Sequence, residues 1–275
     1  MKKAMLGALL TVAAMAAQAA TDQVVETSAI VNGTVVLAKD GAVQTAVIDN
    51  PAKYGQPIAD FVQKAALQWR FKPVLRDGQP VVAKASMHAR VVLTQKPDGN
   101  YVAQIKGVSF GDYDPNDTSA LREGKMITPS YPLEAVVSRV QGTVYLAFRV
   151  DRSGHVAQAV AEQVDIDGRG PEGVLRHYRE VLARSALLAI RGWTFLPPST
   201  GKLAKEDSWT GRIPVTYHLG RSHSQPVWQA YVPGPYTPAP WVGKPDVSAA
   251  DALADGGLQT DGAGPTLLPA ASKHG

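Results

Sequence analysis

Two stretches of the chain alternate apolar with polar residues, and each leads into an apolar stripe of helical period. In the later stretch Val144, Leu146, Phe148 and Val150 alternate with Thr143, Tyr145, Ala147 and Arg149. A period of two is that of a strand with one face buried. Asp151-Arg152-Ser153-Gly154 follows as a turn whose glycine can take a positive φ, and Val156 to Glu162 reads as the returning strand. Val174, Leu175, Tyr178, Val181, Leu182, Ser185, Leu188 and Ala189 then fall on one helix face. Pro197 forbids continuation of a helix, and Ile213, Val215, Tyr217 and Leu219 form a closing strand. The earlier stretch has the same plan, with a shorter opening strand and the turn Asp40-Gly41. Its helix carries Ile58, Phe61, Val62, Ala65 and Trp69, and Pro73 follows. Its closing strand points Met87, Ala89, Val91 and Leu93 one way, with His88 and Arg90 on the other face.

The two stretches are also similar in sequence. Trp69-Arg70-Phe71-Lys72-Pro73 matches Trp193-Thr194-Phe195-Leu196-Pro197. Asn32-Gly33-Thr34-Val35 resembles Gln141-Gly142-Thr143-Val144, and Gly41-Ala42-Val43-Gln44 resembles Gly154-His155-Val156-Ala157. The pieces recur in the same order, the signature of an internal repeat. The predicted fold is α+β: two tandem small domains, each a three-stranded antiparallel sheet packed by one or two helices. The units span residues 28–95 and 121–220. A linker, 96–120, holds one further strand, Tyr101 to Phe110, and an acidic loop.

The ends read differently. Met1-Lys2-Lys3, the apolar run Ala4 to Ala16 and the small-residue site Ala17-Gln18-Ala19 predict a secretory signal, residues 1–19, and a periplasmic protein. The rival reading, an uncleaved inner-membrane anchor, meets a run short of the ~20 residues a spanning helix needs. Residues 221–275 are rich in Pro, Gly and Ala with no period, which predicts a disordered tail. Its Trp228, Tyr231, Tyr236 and Trp241 would either fold back on the body or dock in a groove.

Composition narrows the function classes. The 275 residues are 45% hydrophobic and 19% charged, enough to bury a core. There is no cysteine, hence no disulfide, thiolate nucleophile or Cys-based metal site. The formal charge of +4 includes Lys2 and Lys3, so the remainder gives no case for nucleic acid as a partner. The chain holds no Gly-x-Ser-x-Gly elbow, phosphate loop or HExxH, so nothing points to an enzyme, and no cofactor is implied. Asp112, Asp114, Asn116 and Glu123 have calcium-loop spacing, but Asp117 stands where the loop needs glycine; this weak metal candidate competes with a solvated acidic linker.

The second half, roughly residues 121–220, resembles the C-terminal domain of the TonB energy-transducer family. The resemblance is carried by Tyr131-Pro132, Ala135, Gly142-Thr143-Val144, the hairpin Phe148…Val150-Asp151…Gly154…Val156, and Ala189…Trp193-Thr194-Phe195-Leu196-Pro197. The first half looks like a degenerate copy without the Tyr-Pro helix start. The resemblance implies a periplasmic domain of two helices on a three-stranded sheet. It also implies a partner: a short extended segment of an outer-membrane transporter, or of another envelope protein, bound along the last strand. Tyr131 and Pro132 would contact that segment, and Thr128 stands where the family commonly has a Gln that helps hold it.

The residues give that mechanism a physical basis. An edge strand presents unpaired N–H and C=O groups to which an extended segment can add. Pro214 cannot donate in a ladder and is most comfortable at an edge, so Gly211 to Leu219 is the predicted edge; Pro214 serves equally to block addition. The candidate partner-binding residues are thus Thr128, Tyr131, Pro132, Arg212, Ile213, Val215 and Tyr217. Outward Arg212, Thr216 and His218 would tune specificity. A homodimer through sheet edges is a further possibility. Two other functions remain open: a membrane-anchored energy transducer, and a structural scaffold in which the two repeats pair. The leader reading has a direct check: N-terminal sequencing of the periplasmic protein should begin at Ala20, whereas a start at Met1 in the inner-membrane fraction would favour the transducer.

Overall fold

The computed structural model describes residues 25–96, 98–220, 227–242 and 257–268. The signal-peptide reading of residues 1–19 lies outside these.

The first half runs β1 (Glu26–Leu37), β2 (Val43–Ile48), α1 (Pro51–Tyr54), α2 (Gln56–Ala66), the short pair β3 (Leu75–Arg76) and β4 (Gln79–Pro80), β5 (Ala83–Gln95) and β6 (Tyr101–Phe110). The second half runs β7 (Arg122–Glu123), α3 (Leu133–Val137), β8 (Gln141–Asp151), β9 (Val156–Asp167), α4 (Glu172–Ile190), β10 (Phe195–Leu196) and β11 (Ser208–Tyr217). Two short strands follow in the C-terminal region, β12 (Gln229–Tyr231) and β13 (Gln259–Thr260). The class is α+β, and among the described residues every strand pair is antiparallel.

In both halves the hairpin's first strand is central. The hairpin partner lies on one side and the closing strand on the other: β2-β1-β5 in one sheet, β9-β8-β11 in the other. The turn glycines explain part of the shared plan. Gly41 (φ +84°) and Gly154 (φ +83°) each accept, at their carbonyl, a hydrogen bond from Phe71 N and Phe195 N respectively, both at 2.8 Å. A Cβ at either glycine would lie 1.9 Å or 2.2 Å from the carbonyl oxygen of that phenylalanine. The Gly-to-Phe spacing in the repeated pattern is therefore a backbone contact, closing the segment after each helix onto the hairpin turn.

Each half has its own core on the helix-covered face. Val31, Val35, Leu37, Val62, Phe71, Met87, Ala89 and Val91 are among those that fill the first. Leu146, Phe148, Leu182, Ile190, Trp193, Phe195 and Ile213 are among those that fill the second. The buried stripes are narrower than the helical period suggests, since Phe61, Val174 and Leu188 stay exposed. The opposite faces are covered as well. Ser28, His88 and Arg90 are buried, and Arg90 Nη2 reaches the Tyr145 hydroxyl of β8 at 3.5 Å, joining the halves.

Two expectations need correction. Among the described residues the two main sheets have five and four strands rather than three. The strand assigned to the linker, β6, pairs with β5 over its whole length and completes the first sheet. The second correction concerns the tail. Residues 227–242 and 257–268 are seated on the body: β12 pairs with the start of β1, Val232 exchanges backbone hydrogen bonds with Ile166 of β9, β13 pairs with β11, and Leu267 bridges to Phe71. Both segments touch both cores, through Trp228 and Val232 in one and through Leu258 and Leu267 in the other.

The paired glycines supply a test. Gly154→Ala combines left-handed strain with a clash against a fixed carbonyl, so it should cost about 2–5 kcal/mol of stability. Urea denaturation measures this, and a wild-type midpoint would refute the turn assignment.

The terminal strand and its C-terminal clasp as candidate functional site

The candidate site is built on β11. Its side chains alternate: Trp209, Gly211, Ile213 and Tyr217 face the helix-covered core, while Arg212, Pro214 and Thr216 face the other way. Backbone groups alternate with the same period. Asp261 N donates to Thr210 O at 2.9 Å, so Thr210, and with it Arg212, Pro214 and Thr216, direct backbone groups away from β8 toward the sheet edge. Pro214 thus offers no edge donor. Among the described residues, pairing on this side ends at Arg212 opposite Gln259.

Arg212 is not the exposed specificity residue expected from alternation. It lies on the outward face, as the period requires, but that face is covered and the side chain is 1% exposed. Its Nε donates to Glu162 Oε2 at 2.8 Å and its Nη2 to Glu162 Oε1 at 3.4 Å, while Nη1 donates to Asp261 Oδ1. Burial alone would disfavour the charged guanidinium. Its bonds to Glu162 and the charge of Asp261 more than offset this, so its pKa is pushed above the ordinary arginine value. Ala147 lies directly opposite Arg212 on β8, and its small side chain leaves room for the guanidinium to cross the sheet.

Glu162 reaches Arg212 because of a β-bulge. Tyr145 pairs with Gln163 and Leu146 with Ala161, so Glu162 is the extra residue of β9. The same carboxylate accepts from Ala239 N at 3.0 Å, and the Glu162 carbonyl accepts from Thr237 N at 2.8 Å. One ion pair therefore holds both C-terminal segments: residues 237–239 through Glu162, and residues 258–261 through Arg212. Leu258 is buried against Gly211, where a Cβ would lie 3.3 Å from Leu258 Cδ1 and 2.5 Å from Phe148 Cζ. Thr260 is buried too, its hydroxyl accepting from Leu121 N at 3.1 Å.

The remaining predicted residues divide into two places. Tyr131 and Tyr217 meet edge to face, with ring centroids 5.3 Å apart. Tyr131 donates to Val140 O at 2.8 Å and Tyr217 to Leu182 O at 3.3 Å, and burial raises both phenol pKa values. Pro132 caps α3 in extended conformation. Thr128 is exposed in the loop before it, and the neighbouring Ile127 carbonyl accepts from the Trp193 indole at 2.7 Å. Ile213 is buried and Val215 half-buried in the same core, while Thr216 and His218 are exposed. The β11 edge and the Tyr131 region thus touch through Tyr217, and Arg212 lies near the middle of the strand.

The calcium-loop spacing does not produce a coordination set. Asp112 is held by the Ser86 hydroxyl and the His88 ring, Asp114 caps Asn116 N at 2.8 Å, and Glu123 lies in β7. Among the described residues no three His, Cys, Asp or Glu side chains group as metal ligands. Sequence reasoning placed His88 on the outward face of its strand but missed its burial there, where its second ring nitrogen is 2.9 Å from Asn32 Oδ1. Glu162, Leu258 and Asp261 were missed as well; the only sequence signal was an acidic residue ending the alternating run of β9. No protein-family model, curated protein or solved structure matches the chain.

Removing one member of a buried ion pair strands the other, at a cost of about 3–5 kcal/mol. Glu162→Ala should lose that much in chemical denaturation and should increase hydrogen exchange at Thr237 and Ala239. Wild-type exchange at both amides would refute the clasp.

Proposed function

We propose that the protein is a periplasmic protein-binding module built from two tandem units of the TonB C-terminal type, which takes up an extended segment of an outer-membrane transporter or another envelope protein by adding it to the edge of β11. The observation that carries this reading is that the edge already accepts an extended segment: Gly211 and Arg212 pair antiparallel with Thr260 and Gln259 of the same chain. A backbone edge that pairs with one strand has the groups to pair with another. Past Arg212, Pro214 supplies a carbonyl but no donor, and Thr216 directs both its groups outward, so an added segment gains few main-chain bonds there and depends more on side-chain contacts. The common sheet order and the paired Gly–Phe contacts support the reading as a tandem repeat.

A structural scaffold is the second reading. It is favoured by the 227–232 segment, which pairs with β1 in one sheet and reaches Ile166 in the other. Thr216 separates the two. A peptide from a short extended segment of an outer-membrane transporter, at millimolar concentration, should slow amide exchange at Thr216. Thr216→Pro removes the outward backbone donor and an exposed hydroxyl that lies 3.2 Å from Thr143 Oγ1, so it should weaken binding roughly three- to tenfold with little change in melting temperature. A Thr216 amide insensitive to every such peptide would leave the scaffold.

A further inference from the structure

The segment that occupies the β11 edge is specified in more than its backbone. Leu258 fills the slot that Gly211 leaves beside Phe148, Thr260 is buried on the same side, and Asp261 projects to the opposite face to meet Arg212. Gly262 (φ +78°) and Gly264 (φ +72°) then turn the chain away. The guanidinium is shared between two carboxylates of different standing. Glu162 belongs to the sheet and is 1% exposed, whereas Asp261 arrives with the tail and is 21% exposed. When the tail leaves, Arg212 keeps Glu162, and Nη1, a charged donor on the face opposite the apolar slot, loses Asp261.

We infer that the Arg212 end of β11 is a recognition site for acidic extended segments, with an apolar residue three positions before a carboxylate, and that residues 257–264 are its intramolecular occupant. A partner segment of that chemistry takes the tail's place, with its apolar side chain over Gly211 and its carboxylate on Arg212 Nη1. This rests on reading β11 as an edge that takes up extended segments, and adds to it the chemistry of the partner and the means of regulation. A tethered segment acts at an effective concentration on the order of millimolar, so the tail sets a threshold that a weak partner cannot pass. The occupant is a partner segment rather than a second whole copy, because the slot takes one side chain and pairing extends over only a few residues before Pro214 interrupts the row of edge donors.

The test uses the full chain and two dye-labelled peptides. One has the sequence of residues 257–264, Gly-Leu-Gln-Thr-Asp-Gly-Ala-Gly; the other has Asn in place of the acid. Fluorescence anisotropy compares the wild-type chain with the variant Leu258→Ala/Asp261→Asn, in which the tail loses both anchors. The acidic peptide should bind the variant at least ~10-fold tighter than it binds wild type, and at least ~10-fold tighter than the Asn peptide binds the variant, the ratio expected of one charged hydrogen bond. Equal binding of the two peptides to the variant would overturn the acid requirement while leaving edge addition intact. Equal binding of the acidic peptide to variant and wild type would overturn the tail as occupant. No binding by either peptide would overturn the inference, and an insensitive Thr216 amide would then remove the edge reading too. Dimerisation of the variant in sedimentation would make a second copy's tail the occupant and likewise overturn it. If the double variant shows no melting transition, Asp261→Asn alone is measured in its place.

Discussion

The pairing of Arg212 with Glu162 is the constraint on which the C-terminal third of the structure depends. Each side chain is 1% exposed, so each loses nearly all its hydration. Desolvation of an ion costs several kcal/mol, and the mutual attraction offsets it only with good geometry and further hydrogen bonds. Both conditions are met: the contact is two-pronged, and the remaining oxygen and nitrogen positions go to Ala239 N and to Asp261. The arrangement requires β11 and β9 to flank β8, an alanine in the space between, and an extra residue in β9 to turn Glu162 toward the pair. Sheet order, bulge and buried charge thus specify one another.

The same device serves the other sheet. Lys106 is the extra residue of a second bulge, between the pairs Arg90–Gly107 and Val91–Ile105. Its ammonium binds Glu26 Oε2 at 2.7 Å, and that oxygen also accepts from the Tyr231 hydroxyl at 2.7 Å. A charged bulge residue in each sheet therefore anchors the C-terminal region. A chain without cysteines has no covalent means of fixing such segments. It also has sheet edges that would otherwise pair with other chains. The short strands β12 and β13 and the bridge at Val232 answer both problems at once, by placing the chain's own backbone on the exposed margins of β1, β11 and β9.

Much of the body was legible because its signals are periodic and local. Alternation marked β8 and β11, the 3.6 stripe marked α2 and α4, and the repeated Gly and Trp-x-Phe spacing marked contacts that recur bond for bond. Even β6 was visible, though alternation says nothing of which sheet a strand joins. The tail was not legible. Strands of two and three residues set up no period, and a Pro- and Gly-rich composition resembles that of chains too poor in apolar residues to fold. Its order comes from seats prepared far away in sequence, such as the slot over Gly211. Arg212 shows the complementary limit. Alternation assigned it to the correct face, but whether a face meets water depends on what else the chain lays upon it. Glu162 escaped because a bulge breaks the rule that would have placed it.

The clasp also explains why a polar contact sits where an apolar one would hold as well. Leu258 and Trp228 contribute burial, which is non-directional and tolerates sliding along a strand. A slide of two residues would keep backbone pairing and alternation intact and would cost only the seat of Leu258 at Gly211, so burial by itself does not strictly enforce a single register. The contact between Arg212 and Asp261 does: it exists only when Gln259 lies opposite Arg212 and the acid falls on the diagonal. The glycines after Asp261 turn the chain away once the acid is in place. Apolar burial thus supplies attachment and the shared guanidinium supplies position. Because attachment and position reside in different side chains of one short segment, a competing segment must match both to replace it.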